Sequence, residues 1–163
     1  MPYDAREIAN YFLDLADNQG RQISNLALQK LVYFAHVSYL LKFLKPLTDD
    51  RFEAWEHGPV ISDLYHQFKE FKDQPIKCRA SKIDFTTGER VTVTYGFQDK
   101  EIQILRDTYR TYGHLSPYQL SILSHEYDGP WYRVWHEKEG KRNLGLFIRD
   151  ELILRVYAER AIM

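Results

Sequence analysis

Cysteine and glycine are both scarce in this chain of 163 residues. The one cysteine, Cys78, excludes a disulfide scaffold. The 8 glycines form neither the G-x-G-x-x-G nor the G-x-x-x-x-G-K-[ST] pattern of phosphate-binding loops. The G-x-S-x-G elbow of serine hydrolases is also absent, and Gly129 stands where a zincin motif starting at His125 needs histidine. These absences remove support for the commonest nucleotide-binding, serine-hydrolase and zinc-protease sites.

No charge of one sign dominates, and no apolar run is long. The 22 Lys+Arg and 23 Asp+Glu are spread evenly, whereas binding to a nucleic-acid backbone needs a positive face. The longest apolar region, Leu31 to Leu44, is interrupted by His36 and Lys42 and is too short to span a bilayer. The first residues lack the apolar stretch of a signal peptide. We therefore expect a cytoplasmic protein with no membrane partner and no sequence-specific nucleic-acid partner.

Aromatic residues are the abundant class, at 15% of the chain. They indicate either a core filled with rings or a binding surface rich in Tyr and Trp, the residues that dominate interface hot spots. Hydrophobic residues make up 44%, and a chain of this length can bury one real core. We expect residues 1–163 to form a single domain.

Helical spacing of apolar residues dominates the first half of the chain. It predicts a helix capped by Asp4 and a second helix from Ser24 or Asn25 to about Leu44. The second helix is apolar on more than one face, which is typical of a buried central helix and not of one that reads DNA bases. Three residues are predicted to lie in the core: Leu31 and Phe34 of this helix, and Val60 further along the chain.

The break at Gly58-Pro59 is predicted to start a third helix. Proline is well tolerated at the first helical position, and Gly58 would then hold a conformation that other residues resist. Trp131 and Trp135 are assigned to a short turn further along the chain.

Apolar and polar residues alternate between residues 82 and 97, and this pattern predicts a β-hairpin. Helical signals then return: Ser116, Pro117 and Gln119 form a predicted capping box, and a last helix is predicted from about Arg149 to Arg160. The predicted fold class is mainly α (α+β), a single compact helical domain with a small β-hairpin around residues 82–97.

One stretch of acidic and imidazole side chains is a candidate for chemistry. These residues are Glu53, Glu56, His57, Asp63 and His66. They are the types that bind a divalent metal or act as acid and base, and a hydrolase using this Glu/His cluster at 53–66 is one hypothesis. The alternative is that they are ordinary exposed side chains on a helix and loop. We favour the alternative, and expect no catalytic residues, no metal and no cofactor.

Three motifs resemble one family. The segment Leu28-Gln29-Lys30-Leu31-Val32-Tyr33-Phe34-Ala35 resembles the opening signature of the Panacea domain of SocA/GepA-like proteins. Phe52-Glu53-Ala54-Trp55-Glu56-His57-Gly58-Pro59-Val60 resembles the aromatic–Ala–Trp and Gly-Pro-Val elements that follow it. His125-Glu126-Tyr127-Asp128-Gly129-Pro130-Trp131 resembles the later His-x-x-x-x-Pro-Trp element.

This resemblance implies an antitoxin, not an enzyme. Panacea proteins are typically encoded beside unrelated small toxins, often in prophages or mobile elements, and neutralise them by protein–protein contact. The expected function is an antitoxin of a toxin–antitoxin pair whose partner is a protein toxin encoded nearby. An alternative is an adaptor that delivers the bound partner to a cellular protease.

Aromatic and polar side chains near breaks in the chain are the candidate partner-binding residues. Loops present side chains, and rings supply contact area at low entropy cost. The candidates are Trp55, Glu56, His57, Trp131 and Tyr132. For the two tryptophans the alternative is a place in the core.

Overall fold

Helices dominate the computed structural model, which describes residues 1–137 and 146–162. In these ranges the helices are α1 (Ala5–Asn18), α2 (Asn25–Phe43), α3 (Ser62–Phe68), α4 (Asp99–Tyr112), α5 (Pro117–Ser124), α6 (Pro130–Glu137) and α7 (Asp150–Ile162). The strands are β1 (Phe52–Trp55), β2 (Gly58–Val60), β3 (Ser81–Ile83), β4 (Arg90–Thr92) and β5 (Phe147–Ile148). The predicted fold class, mainly α with a small hairpin, is confirmed.

Helix α2 is the central element. It packs against α1, α3, α4, α5, α7 and strand β2, and 13 of its 19 residues are buried. Leu31 and Val60 are core residues as predicted, but Phe34 is only half-buried because its ring stacks on Tyr112 near the surface. Helix α2 is thus buried on most of its sides. Like the other helices of residues 1–137 and 146–162, it is not long and apolar enough to cross a membrane.

Local capping signals correctly located two helix starts. The Asp4 carboxylate accepts from the Arg6 amide at 2.8 Å, and Glu7 accepts from the Asp4 amide at 3.1 Å. Ser116 and Gln119 form the same reciprocal box at the start of α5. These caps satisfy amides that a helix start leaves without partners.

The prediction that Pro59 begins a helix is wrong. Pro59 lies in strand β2, opposite Ala54 of β1, and α3 begins only at Ser62. The sheet order is β2-β1-β5, so β2 is an edge strand, where proline's missing N–H costs no ladder hydrogen bond. Gly58 has a φ of +119°, which confirms its unusual conformation.

Two further elements differ from the expectation. The segment expected to be a short turn around Trp131 is helix α6, because Trp131 and Val134 recur at helical spacing and are both buried. Strand β5 adds a third antiparallel strand by pairing Phe147 and Ile148 with β1.

The predicted hairpin forms as β3 and β4, with Ser81 opposite Thr92. Two strands alone are marginally stable, and Asn10 of α1 anchors them. Its buried side chain accepts from the Ala80 amide at 2.8 Å and donates to the Val93 carbonyl at 2.8 Å.

Candidate partner-binding surface

The turn between β1 and β2 is held from below by three helices. Ser121 of α5 donates to the His57 carbonyl at 2.9 Å, and the Trp131 indole of α6 donates to the Trp55 carbonyl at 2.7 Å. The Gly58 backbone lies against Lys30 of α2, where an added Cβ would fall 2.5 Å from the lysine Cε. The turn is therefore a rigid support that presents the exposed side chains of residues 56 and 57.

Two buried polar side chains of α2 hold the other side of this turn. Lys30 is 0% exposed, and its Nζ donates to the Pro59 carbonyl at 3.3 Å. Gln29 accepts from the Ile61 amide at 3.1 Å. Burial lowers the pKa of Lys30 to about 7. At these two positions α2 therefore carries buried polar side chains that bind the backbone at and just after β2, where apolar side chains would otherwise pack in the core.

A stack of rings continues the support toward α6. The centres of the His125 and Trp131 rings are 3.8 Å apart, and the ring planes differ by 11°. Trp135 also stacks on Trp131, with the ring centres 5.4 Å apart. Desolvation lowers the pKa of His125, and nearby Lys30 adds to that effect. A neutral imidazole is therefore favoured at the centre of this junction.

The five candidate residues lie in one region but not in one environment. Glu56 and His57 are exposed, whereas Trp55 is half-buried with its ring 5.0 Å from Tyr65. Tyr132 is half-buried on α6. Trp131 takes the alternative place in the core, because its side chain packs under the turn and is 4% exposed.

The acidic and imidazole residues are divided between the β1–β2 turn and a pocket beside α3. No three such side chains in the described part of the chain come close enough to share a metal ion. Asp63 and His66 line a shallow pocket beside Asp50, while His57 lies in the β1–β2 turn. His66 is instead held by its Nδ1 at 2.7 Å from the Ser62 carbonyl.

Exposed apolar side chains concentrate on α5 and the turn that follows it. We call Tyr118, Ile122, Leu123 and Tyr127 the α5 patch; they are 75%, 53%, 45% and 79% exposed. Leu120, on the opposite side of the same helix, is fully buried. The patch adjoins the candidate residues, because the Tyr127 ring lies 5.0 Å from the Tyr132 ring.

An open groove of about 470 Å³ borders the α5 patch. Ile122 and Leu123 form one wall, Phe34 and Leu41 of α2 form another, and Tyr157 comes from α7. At its edge the Glu126 carboxylate pairs with Arg160 at 2.8 Å. The patch and groove together offer a partner a mainly apolar surface with a shaped recess.

Sequence reasoning missed the α5 patch. Leu123 and Tyr127 follow helical spacing, so they are indistinguishable by pattern from residues that face a core. An eight-residue helix packed on one side leaves its remaining apolar residues in solvent, and only the tertiary arrangement shows which ones.

Comparison with known proteins gives two concordant matches. A family model described as "Antitoxin SocA-like, Panacea domain" matches residues 28–132, a range that contains most of α2, the β1–β2 turn and the α5 patch. The protein "Antitoxin SocA" of Caulobacter vibrioides (strain NA1000 / CB15N) is 38% identical over 151 residues, covering 92% of this chain and 80% of that protein. No solved structure matches significantly. The chain therefore belongs to the family of SocA-like, Panacea-domain antitoxins.

Proposed function

We propose that this chain neutralises a protein toxin by direct contact, and that the α5 patch and its groove form the contact surface. One observation carries the assignment of the surface. Of the nine large hydrophobic side chains exposed in the described ranges, four make up the α5 patch, and a fifth, Leu41, lines the groove. Contiguous exposed apolar surface of this kind marks a protein interaction site.

Folding does not account for the α5 patch. Side chains that stay about half or more in solvent contribute only part of their burial free energy to the folded state, so polar residues there would cost little stability. Two of the four are tyrosines, a residue type enriched at interface hot spots. Their presence is explained if a partner covers them.

The candidate residues form the proposed rim of the surface. A stable interface buries roughly 800 Å² on each partner, which is more than four side chains provide. His57 extends the surface on one side, because its carbonyl is bound by Ser121 of α5, and Tyr132 extends it on the other beside Tyr127. Trp55 and Glu56 complete this rim, and buried Trp131 acts by positioning the turn.

Growth rescue tests this proposal. The chain is expressed together with the protein encoded by the neighbouring gene, in cells that this protein inhibits. We expect Ile122→Asp and Tyr127→Ala to lose most of the rescue, because a charge or a cavity at the centre of an apolar interface weakens binding by about tenfold or more. Both positions are exposed, so the free energy of unfolding should fall by only about 1 kcal/mol or less, part of it from a carboxylate in the last turn of α5.

Phe85→Asp is the matched control. Phe85 is 98% exposed but lies in the turn between β3 and β4, away from α5, so this variant should rescue fully. Full rescue by well-folded Ile122→Asp and Tyr127→Ala would show that the partner binds elsewhere.

A further inference from the structure

A second pocket, between α4 and the C-terminal end of α1, is lined mainly by basic side chains. It has a volume of about 470 Å³, and its basic members are Arg21, Arg106, Arg110 and His114. We call it the arginine pocket. It shares no lining residue with the groove beside the α5 patch, so it is separate from the proposed toxin surface.

The positive charge of the arginine pocket is only partly compensated. Arg110 pairs with Asp107 at 3.2 Å, whereas Arg106 donates to the neutral Tyr11 hydroxyl at 3.3 Å. Arg21 has no carboxylate partner among residues 1–137 and 146–162. The C-terminal ends of α1 and α4 each contribute about half a negative charge, so together with Asp107 they offset about two of the three guanidinium charges and leave about one.

A buried hydroxyl reaches the same pocket. Tyr109 is 3% exposed and lines the pocket, yet its hydroxyl has no hydrogen-bond partner of normal geometry within the described ranges. Burial raises the pKa of Tyr109, and the neighbouring Arg21 opposes that rise through its charge and through a loose hydrogen bond to the hydroxyl oxygen. Arginine can only donate, so the hydrogen of the Tyr109 hydroxyl still lacks an acceptor within the described ranges, and a ligand oxygen would supply one.

We propose that the arginine pocket binds a small phosphate-bearing ligand. The planar guanidinium group of arginine can donate two parallel hydrogen bonds to phosphate oxygens. A doubly charged phosphate would balance the charges of Arg21 and Arg106, the two arginines without a carboxylate partner in the described ranges. The Tyr109 hydroxyl would donate to a third oxygen. The volume falls within the range of about 300–1,000 Å³ typical of small-molecule sites.

Isothermal titration calorimetry with pyrophosphate and with ADP tests this proposal and separates its two sources of phosphate. Binding of pyrophosphate at least as tightly as ADP indicates a free phosphate ligand, whereas tighter binding of ADP indicates a nucleotide. We expect Arg21→Gln and Arg106→Gln each to weaken binding by about tenfold, the effect of losing a charge-assisted hydrogen bond. Arg90→Gln, at an exposed arginine of β4, should bind like the wild type.

Tyr109→Phe supplies a readout that electrostatic attraction alone would not move. It keeps the ring and every charge, so it should fold with unchanged or higher stability and still bind several-fold more weakly. The proposal is overturned if neither compound binds at millimolar concentration, or if Arg90→Gln weakens binding as much as the pocket variants.

Discussion

A lysine occupies the middle of helix α2, where apolar residues would pack at lower cost. Lys30 has no carboxylate partner in the described part of the chain, and its hydrogen bond to the Pro59 carbonyl replaces only part of its lost hydration. The loss of hydration disfavours the charged form of Lys30, which lowers its pKa from 10.5 to about 7. Lys30 thus contacts the strand that follows the β1–β2 turn, and it changes its own charge near pH 7.

The pH dependence of stability tests this description of Lys30. The folded-state pKa is depressed, so between pH 7 and pH 10.5 the unfolded chain binds more protons and stability rises with pH. Between pH 7 and pH 9 this residue should add about 2 kcal/mol to the free energy of unfolding. Urea unfolding of Lys30→Met should lack that rise. Exposed Lys42→Met should keep it, and an equal rise in both variants would contradict the burial of a titrating lysine.

Single residues of α2 show what sequence could and could not predict. The dense apolar pattern correctly indicated that Leu31 is buried. It did not indicate that Lys30 points inward or that Phe34 reaches the surface, because helical spacing gives angles and not neighbours. The inward lysine depends on a carbonyl 29 residues away in sequence.

At the scale of elements, the β1–β2 turn depends on the absence of a side chain at Gly58. An added Cβ would lie 2.5 Å from Lys30 Cε and 2.5 Å from Ser124 Oγ. Neither atom moves freely, since Lys30 is enclosed in the core and the Ser124 hydroxyl donates to the Ser121 carbonyl at 2.8 Å. A side chain there must displace α2, α5 or the turn itself.

Two glycine substitutions separate steric crowding from backbone strain. Gly88, between β3 and β4, also has positive φ, at +74°, but open space surrounds its missing Cβ. Gly88→Ala should therefore cost only about 1 kcal/mol. Gly58→Ala should cost roughly 2 kcal/mol more, because overpacking adds to the strain. Urea unfolding measures both, and equal losses would show that the core beneath the turn yields easily.

Elements with local signals were predictable, and those formed by distant pairing were not. The caps at Asp4 and Ser116 depend on residues two or three positions away. Pro59 was misassigned because a Gly-Pro pair suits both a helix start and an edge strand, and only pairing with β1 decides between them. Strand β5 has two residues and no pattern of its own.

At the scale of the whole molecule, the rigid turn and the α5 patch form one surface supported by α2. The motifs in the sequence identified the family. His57 lies in one of these motifs, and Tyr132 directly follows another. They could not separate the buried Trp131 from the half-buried Tyr132 or reveal the α5 patch, because both depend on how α5 and α6 pack against the sheet.

Calorimetric titration of the purified chain with the purified protein encoded by the neighbouring gene, with no protease present, tests the central claim most directly. We predict a complex with a Kd below about 1 μM that also abolishes the toxin's activity in the same tube, and an affinity about tenfold weaker for Ile122→Asp. Phe85→Asp should bind like the wild type. Absence of a complex, binding that Ile122→Asp leaves unchanged, or neutralisation that requires an added protease would contradict direct neutralisation through the α5 patch.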